Sequence, residues 1–328
     1  MSTGFPRLLG DIGGTNARWA WHARSGAAIQ DVSVRPCAAN ATLYESAAAY
    51  LAEKGHPRPA WVGIGIATPV ASDRVQLTNN DWAFSITELK QALGAERCLV
   101  INDFTALAMS LTALAPSDLR AVGAVGAVGA SKAVAGAPMA LLGPGTGLGV
   151  SGLLPQGDGR WWAVSGEGGH VTLAATDEHE AALLALVRRR FGHASAERVL
   201  SGSGLVNLYG ALCALSGTAE RALQPSDVTD AALDGSDPLC AQAVQRFTAF
   251  LGNAAGNLAL TLGAHGGVYI GGGIVPRLGA HFDGVLFRQH FEAKGRFADY
   301  LKAIPTSVIT AAAPALIGAS NALDLMPA

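Results

Sequence analysis

One pattern occurs twice in this chain of 328 residues: an apolar strand, a tight run of glycines and a second apolar strand. It is seen first in "LLGDIGGTNARWAW", from Leu8 to Trp21, and again in "MALLGPGTGLGVSGLL", from Met139 to Leu154. Glycine supplies the backbone freedom that a tight turn between strands requires. The residues after each turn continue as strand, which excludes the strand–turn–helix dinucleotide fingerprint. The P-loop pattern G-x-x-x-x-G-K-[ST] occurs nowhere in the sequence. Two hairpins of one design, so far apart in the chain, predict two α/β domains of related topology.

The intervening segments fit that reading. Strand patterns are expected at "WVGIGIA", "RVQLTN" and "RCLVI" (Arg97 to Ile101), with "NDFTALAMSL" turning helical after the last. Helical patterns are expected from Leu43 to Lys54, Glu178 to Arg190, Gly204 to Leu215 and about Pro238 to Leu262. "GGVYIGGGIVPRL" reads as strand, glycine turn and a helix beginning near Pro276, and "APALIGASNALDL" as a terminal helix. The tract "AVGAVGAVGA", Ala121 to Ala130, is low in complexity and is expected to be a loop or weak edge strand.

Composition narrows the function classes. A net charge of −2 gives no basic field for nucleic acid or an anionic membrane. The four cysteines form no CxxC pair, which argues against a structural zinc site or a disulfide framework. Two long stretches lack any charged residue, Ala133–Gly157 and Phe247–Pro276. Their prolines, asparagines and glycines read as buried strands and turns rather than membrane spans. The opening "MSTGFPRLLG" carries no secretory pattern, so a reducing cytoplasm is expected.

Five segments carry candidate chemistry. In "GDIGGT" the backbone of Gly10, Asp11, Ile12, Gly13, Gly14 and Thr15 either forms a plain hairpin turn or lets N–H groups approach a phosphate. Asp11 would repel that phosphate unless Mg²⁺ lay between them, directly or through water. "GPGTGLG" offers Gly145, Thr146 and Gly147 as a second such loop. "GGGI", with Gly272 and Gly273, joins a strand to a helix start. In "INDFTA", Asn102 and Asp103 end a strand and begin a helix. Either is a helix cap, or Asp103 is a general base at the carboxyl end of a sheet. In "GEGGH", Glu167 and His170 either form a surface turn or converge on a polar ligand such as a sugar, whose hydroxyls both donate and accept. Glu197, in "SAERVLSG", reads by itself as a glutamate in the first turn of a helix.

Together these segments, with "TNNDWAFS" and "SGSGLVNLY", resemble the bacterial glucokinase family of the sugar kinase and actin superfamily, in that family's order. The similarity is to the group that lacks a Cys/His zinc motif. It implies two actin-like, ribonuclease H-like α/β domains around a deep cleft: residues 1–113 plus 312–328, and residues 114–311. It implies a homodimer with ATP and Mg²⁺ as cofactors and D-glucose as substrate. By position, "GDIGGT" and "GPGTGLG" resemble the two phosphate loops and "GGGI" the adenosine segment. Asp103 resembles the catalytic base. Asn79, Asn102, Glu167, His170 and Glu197 resemble ligands of the sugar hydroxyls. Kinases of other hexoses, and a sugar-responsive regulator without turnover, remain open alternatives.

Overall fold

A computed structural model describes residues 4–78, 80–123 and 133–325. Asn79 and most of the Ala121–Ala130 tract therefore lie outside the described residues. The chain divides into two compact units, the first comprising Met1–Pro116, Pro155–Ser165 and Ala311–Ala328, the second Ser117–Leu154 and Gly166–Thr310.

The first stretch of chain gives β1 (Arg7–Ile12), β2 (Asn16–His22), β3 (Gln30–Pro36), α1 (Leu43–Lys54), β4 (Trp61–Ile66), β5 (Arg74–Gln76), β6 (Ala83–Ser85), α2 (Ile86–Leu93), β7 (Arg97–Asn102) and α3 (Asp103–Ser110). The middle gives β8 (Leu119–Ala121), β9 (Met139–Pro144), β10 (Leu148–Gly157), β11 (Arg160–Val164), α4 (Glu178–Phe191), α5 (Gly202–Ser216), α6 (Pro225–Leu233) and α7 (Pro238–Leu262). There follow β12 (Val268–Ile270), α8 (Ile274–Leu278), α9 (Gly284–Glu292), α10 (Ala298–Lys302), β13 (Thr306–Ile309) and α11 (Pro314–Leu325). The helix in "GGGIVPRL" thus starts two residues before Pro276 and is a short turn.

In the first unit the sheet order is β3-β2-β1-β4-β7. β1 turns back on β2 as an antiparallel hairpin, and β1, β4 and β7 run parallel. Strand alternation divides the core. Leu8 and Ile12 join Trp19, Tyr50 and Val62 on one face, while Leu9 joins Leu316 and Leu323 on the other. On that second face α11 lies close to α3. A Cβ at Gly318 would overlap the Ala106 carbonyl, so only glycine lets the two helices meet.

In the second unit β9, β12 and β13 run parallel, with β10 and β8 antiparallel at either side. The order β10-β9-β12-β13 repeats the order β2-β1-β4-β7. The sequence echo is thus a repeat of topology. The buried core centres on α7, where Phe247, Phe250 and Leu251 pack with α5 residues Leu205 and Leu208. The ends of α7 are local in origin: Asp237 caps its first turn ahead of Pro238, and Gly263 closes it in the left-handed region at φ 62°. No helix among the described residues is long and apolar enough to cross a membrane.

Candidate active site

The parallel strands of the first unit fix where its candidate residues fall. Ile12, Ile66 and Asn102 sit side by side in register, so β1, β4 and β7 end at one level. The glycine loop leaves β1 there, and α3 starts from β7 beside it. Gly65 makes this possible, because a Cβ at that position would stand 2.9 Å from the Ala106 Cβ and 3.6 Å from the Asp103 Cα. Glycine in β4 lets the first turn of α3 lie against the strand.

The two residues of the "ND" pair have separate tasks. Asn102 is the helix cap, its Oδ1 accepting from Phe104 N–H at 2.9 Å and Thr105 N–H at 3.3 Å. Its Nδ2 donates to the Thr68 carbonyl at 3.5 Å. Asp103 occupies the first helical position and accepts from Phe104 N–H at 2.8 Å. A carboxylate at a helix start is normally stabilised in its charged form. Burial outweighs that here and pushes the Asp103 carboxyl from 3.8 up to about 6. Bonds from Phe104 and Asn102 pull it down, and the neighbouring Asp11 charge pushes it further up. Such a group is ionised at neutral pH yet basic enough to take a proton.

Burial also raises the Asp11 carboxyl, against the opposing charge of Arg18, whose Nη1 donates to Asp11 Oδ2 at 2.7 Å. The other oxygen, Oδ1, accepts no hydrogen bond among the described residues. No cluster of three or more His, Cys, Asp or Glu residues suited to a metal occurs among them either. A lone carboxylate oxygen beside a glycine loop suits a hard cation such as Mg²⁺, which usually takes its remaining ligands from phosphates and water.

The first loop leaves two amides for a ligand. Gly13 N–H closes the hairpin onto the Asn16 carbonyl at 2.9 Å. The N–H groups of Gly14 and Thr15 have no acceptor among the described residues. Successive free amides form an anion-binding concavity.

The second unit gathers its candidates around "GPGTGLG". Gly145 N–H donates to the Gly147 carbonyl at 2.8 Å, closing the turn, and Gly202 N–H donates to the Gly145 carbonyl at 2.8 Å. The amides of Thr146 and Gly147 again have no acceptor among the described residues. Glu197 supports this loop: its Oε2 accepts from Leu148 N–H at 2.9 Å, and a Cβ on Gly147 would stand 2.5 Å from that oxygen. Glu197 lies in a turn rather than in a helix's first turn, and its own N–H donates to the Gly169 carbonyl at 2.8 Å. Glu167 and His170 flank that glycine, both exposed, with Oε2 and Nε2 3.9 Å apart. "GEGGH", Glu197 and the second loop are therefore one constellation. Gly272, at φ 75°, packs against the Pro144 carbonyl and brings "GGGI" to the same loop. Gly145 and Gly273 have no positive φ and nothing within 4 Å of an added Cβ. The chain's own packing does not require glycine at either.

Two residues beside the first loop, Cys37 and Asn80, were not singled out from the sequence. The one available signal was the second asparagine of "TNND".

The family model for glucokinase matches residues 8–326. The glucokinase of Aromatoleum aromaticum is 50% identical across 98% of this chain and 95% of its own length. A solved glucokinase from an Antarctic psychrotroph superposes with a TM-score of 0.89 at 34% identity, covering 97% of this chain and 98% of that one. A glucokinase of the ROK family from Streptomyces griseus, in complex with glucose and AMPPNP, shares the fold at a TM-score of 0.63 and 19% identity, covering 97% of this chain and 98% of that one. With its repeated α/β topology and a family match over almost its entire length, the chain belongs to the glucokinase family.

Proposed function

We propose that this protein transfers the γ-phosphoryl group of ATP to the 6-hydroxyl of D-glucose, giving glucose 6-phosphate and ADP at the first step of glycolysis. Family membership supports the reaction and the sugar. The observation that supports the residue assignment best is Asp103, a carboxyl raised to about 6, at the strand-end level where the first glycine loop begins. Asp103 accepts the proton of the 6-hydroxyl as that oxygen attacks the γ-phosphorus in line. Phosphoryl transfer asks for positioning and charge neutralisation more than for covalent help.

The free amides of Gly14 and Thr15 in the first loop, and of Thr146 and Gly147 in the second, bind phosphate oxygens. Mg²⁺, held by Asp11 directly or through water, supplies charge neutralisation when bound. Glu167, His170 and Glu197 hold sugar hydroxyls, and the free Oε1 of Glu197 faces no competing donor among the described residues. Asn102 contributes less directly, since its side chain is engaged by the first turn of α3 and by Thr68. Asn79 keeps its place as a sugar ligand on resemblance alone. Gly272 and Gly273 contribute to the adenosine segment. The small and large actin-like domains are taken as residues 1–113 with 312–328 and residues 114–311. A cytoplasmic homodimer is the assembly that the family resemblance favours.

A coupled assay of ADP release tests the proposal. Glucose supports turnover well above mannose, fructose and N-acetylglucosamine. Release no faster with glucose than without sugar contradicts it.

A further inference from the structure

The first loop has an unusual asymmetry. Its three successive carbonyls are all taken by donors from outside the hairpin. Gly13 accepts from the Cys37 thiol at 3.5 Å, Gly14 from Asn80 Nδ2 at 3.3 Å and Thr15 from Cys37 N–H at 2.8 Å. A peptide whose carbonyl is held on one side turns the N–H of the next residue toward the other. Tying the carbonyls of Gly13 and Gly14 therefore aims the amides of Gly14 and Thr15 together, away from Cys37 and Asn80.

The donors are themselves fixed. Asn80 Oδ1 accepts from Trp82 N–H at 2.7 Å, an Asx turn that orients the amide, and Trp82 Nε1 donates to the Asn40 carbonyl at 3.1 Å. Trp82 and Cys37 are each 3% exposed and belong to the same core cluster. The supports are anchored in packed structure, not in mobile surface.

We infer that Asn80, with Cys37, is a positioning residue for nucleotide phosphate: it acts through the Gly14 carbonyl and touches no substrate. Glycine is needed in this loop for close approach, yet glycine leaves the peptides free to flip, and a flipped Gly13–Gly14 or Gly14–Thr15 peptide presents a carbonyl to the phosphate. The outside donors remove that alternative before ligand arrives. The nature of the ligand rests on the function proposed above.

The test uses Asn80→Ser in the full-length protein. Serine keeps a side-chain acceptor for Trp82 N–H but is too short to reach Gly14, and adds no charge. Calorimetry measures the affinity for MgAMPPNP and, separately, for glucose. Loss of one hydrogen bond of this kind predicts MgAMPPNP binding weaker by about 3- to 10-fold. KM for ATP rises in step, while kcat and glucose affinity stay within about twofold of wild type. Amide exchange of Gly13 in the ligand-free protein quickens. Cys37→Ala, which keeps the backbone donor to Thr15, gives a smaller effect in the same direction, and serves alone if Asn80→Ser does not fold. Nucleotide affinity at the wild-type value in the folded variant overturns the inference, as does an equal loss of glucose affinity. Wild-type protein that releases no ADP with glucose counts against the proposed reaction, while the ratio of MgAMPPNP affinities still judges Asn80.

Discussion

The two glycine loops share a plan and differ in what holds them. Each joins an antiparallel hairpin at the edge of three parallel strands, and each leaves two consecutive amides unengaged among the described residues. The first loop is held from behind by Cys37 and Asn80, and two half-buried acids, Asp11 and Asp103, lie at its base. The second is held by an acid, Glu197, which is also an expected sugar ligand. On the proposed assignments, the first unit separates phosphate positioning from acid–base chemistry, and the second couples its phosphate loop to its sugar residues through one carboxylate. Changes in the first unit should therefore split binding from turnover, and changes at Glu197 should not.

The largest expected effect follows from Asp103→Asn. The amide keeps the shape and can still accept from a sugar hydroxyl, but it cannot take the proton. Loss of a general base lowers kcat by about 10²- to 10⁴-fold, roughly 3–5 kcal/mol of barrier. Glucose binding by calorimetry stays within a few-fold. Turnover within threefold of wild type breaks the contrast at its strongest point. Glu197→Ala should act on both substrates together. It removes the proposed sugar contact and leaves Leu148 N–H without its acceptor, at about 1–3 kcal/mol. Separate titrations are expected to show weaker glucose and weaker MgATP binding, and a loss confined to glucose would uncouple Glu197 from the loop.

Gly145→Val is expected to weaken MgATP by about 1–3 kcal/mol through crowding of the phosphate path, with glucose binding unchanged. Its melting temperature should hardly move, since nothing within 4 Å meets an added Cβ. A large loss of stability would mean that glycine serves the fold at this position. The smallest effect concerns Asp103 and stability. Its folded carboxyl is raised from 3.8 to about 6, so the folded state holds the proton more tightly than the unfolded chain. The resulting penalty is absent below about pH 4, grows between about pH 4 and 6 and is constant above that. Asp103→Asn should therefore melt higher than wild type at pH 7 and alike at pH 3.5. A variant less stable than wild type at pH 7 would assign the carboxylate a structural role.

How much of this was legible in the sequence depended on the length and symmetry of each signal. The β1–β2 hairpin, α1 and α7 follow from strong periodicity with caps and glycine stops, and the expected bounds of α1 and α7 match the observed ones. β3 was missed because it is a largely exposed edge strand whose Val32 and Val34 face solvent. Short α6, α9 and β13 gave too few turns or alternations to stand out. The glycine loops were visible because glycine is a backbone signal. The direction of each carbonyl was not, since it depends on donors more than twenty residues away, and Asn80 and Cys37 went unnoticed for that reason. Glu197 read as a first-turn glutamate because "SAER" has capping chemistry, and Ser195 Oγ does accept from Arg198 N–H at 3.3 Å, but the chain makes only a turn there and the Ser195 backbone bridges to Thr172.

Asp103, tuned by burial, is proposed as the base for glucose phosphorylation. The pH dependence of kcat/KM for glucose, at saturating MgATP, tests it most directly. An acid limb with an apparent pKa near 6 is expected, below which the rate falls tenfold per pH unit, together with a residual rate in Asp103→Asn that lacks this limb. A wild-type profile flat down to pH 4.5, or the same limb retained in Asp103→Asn, would contradict it.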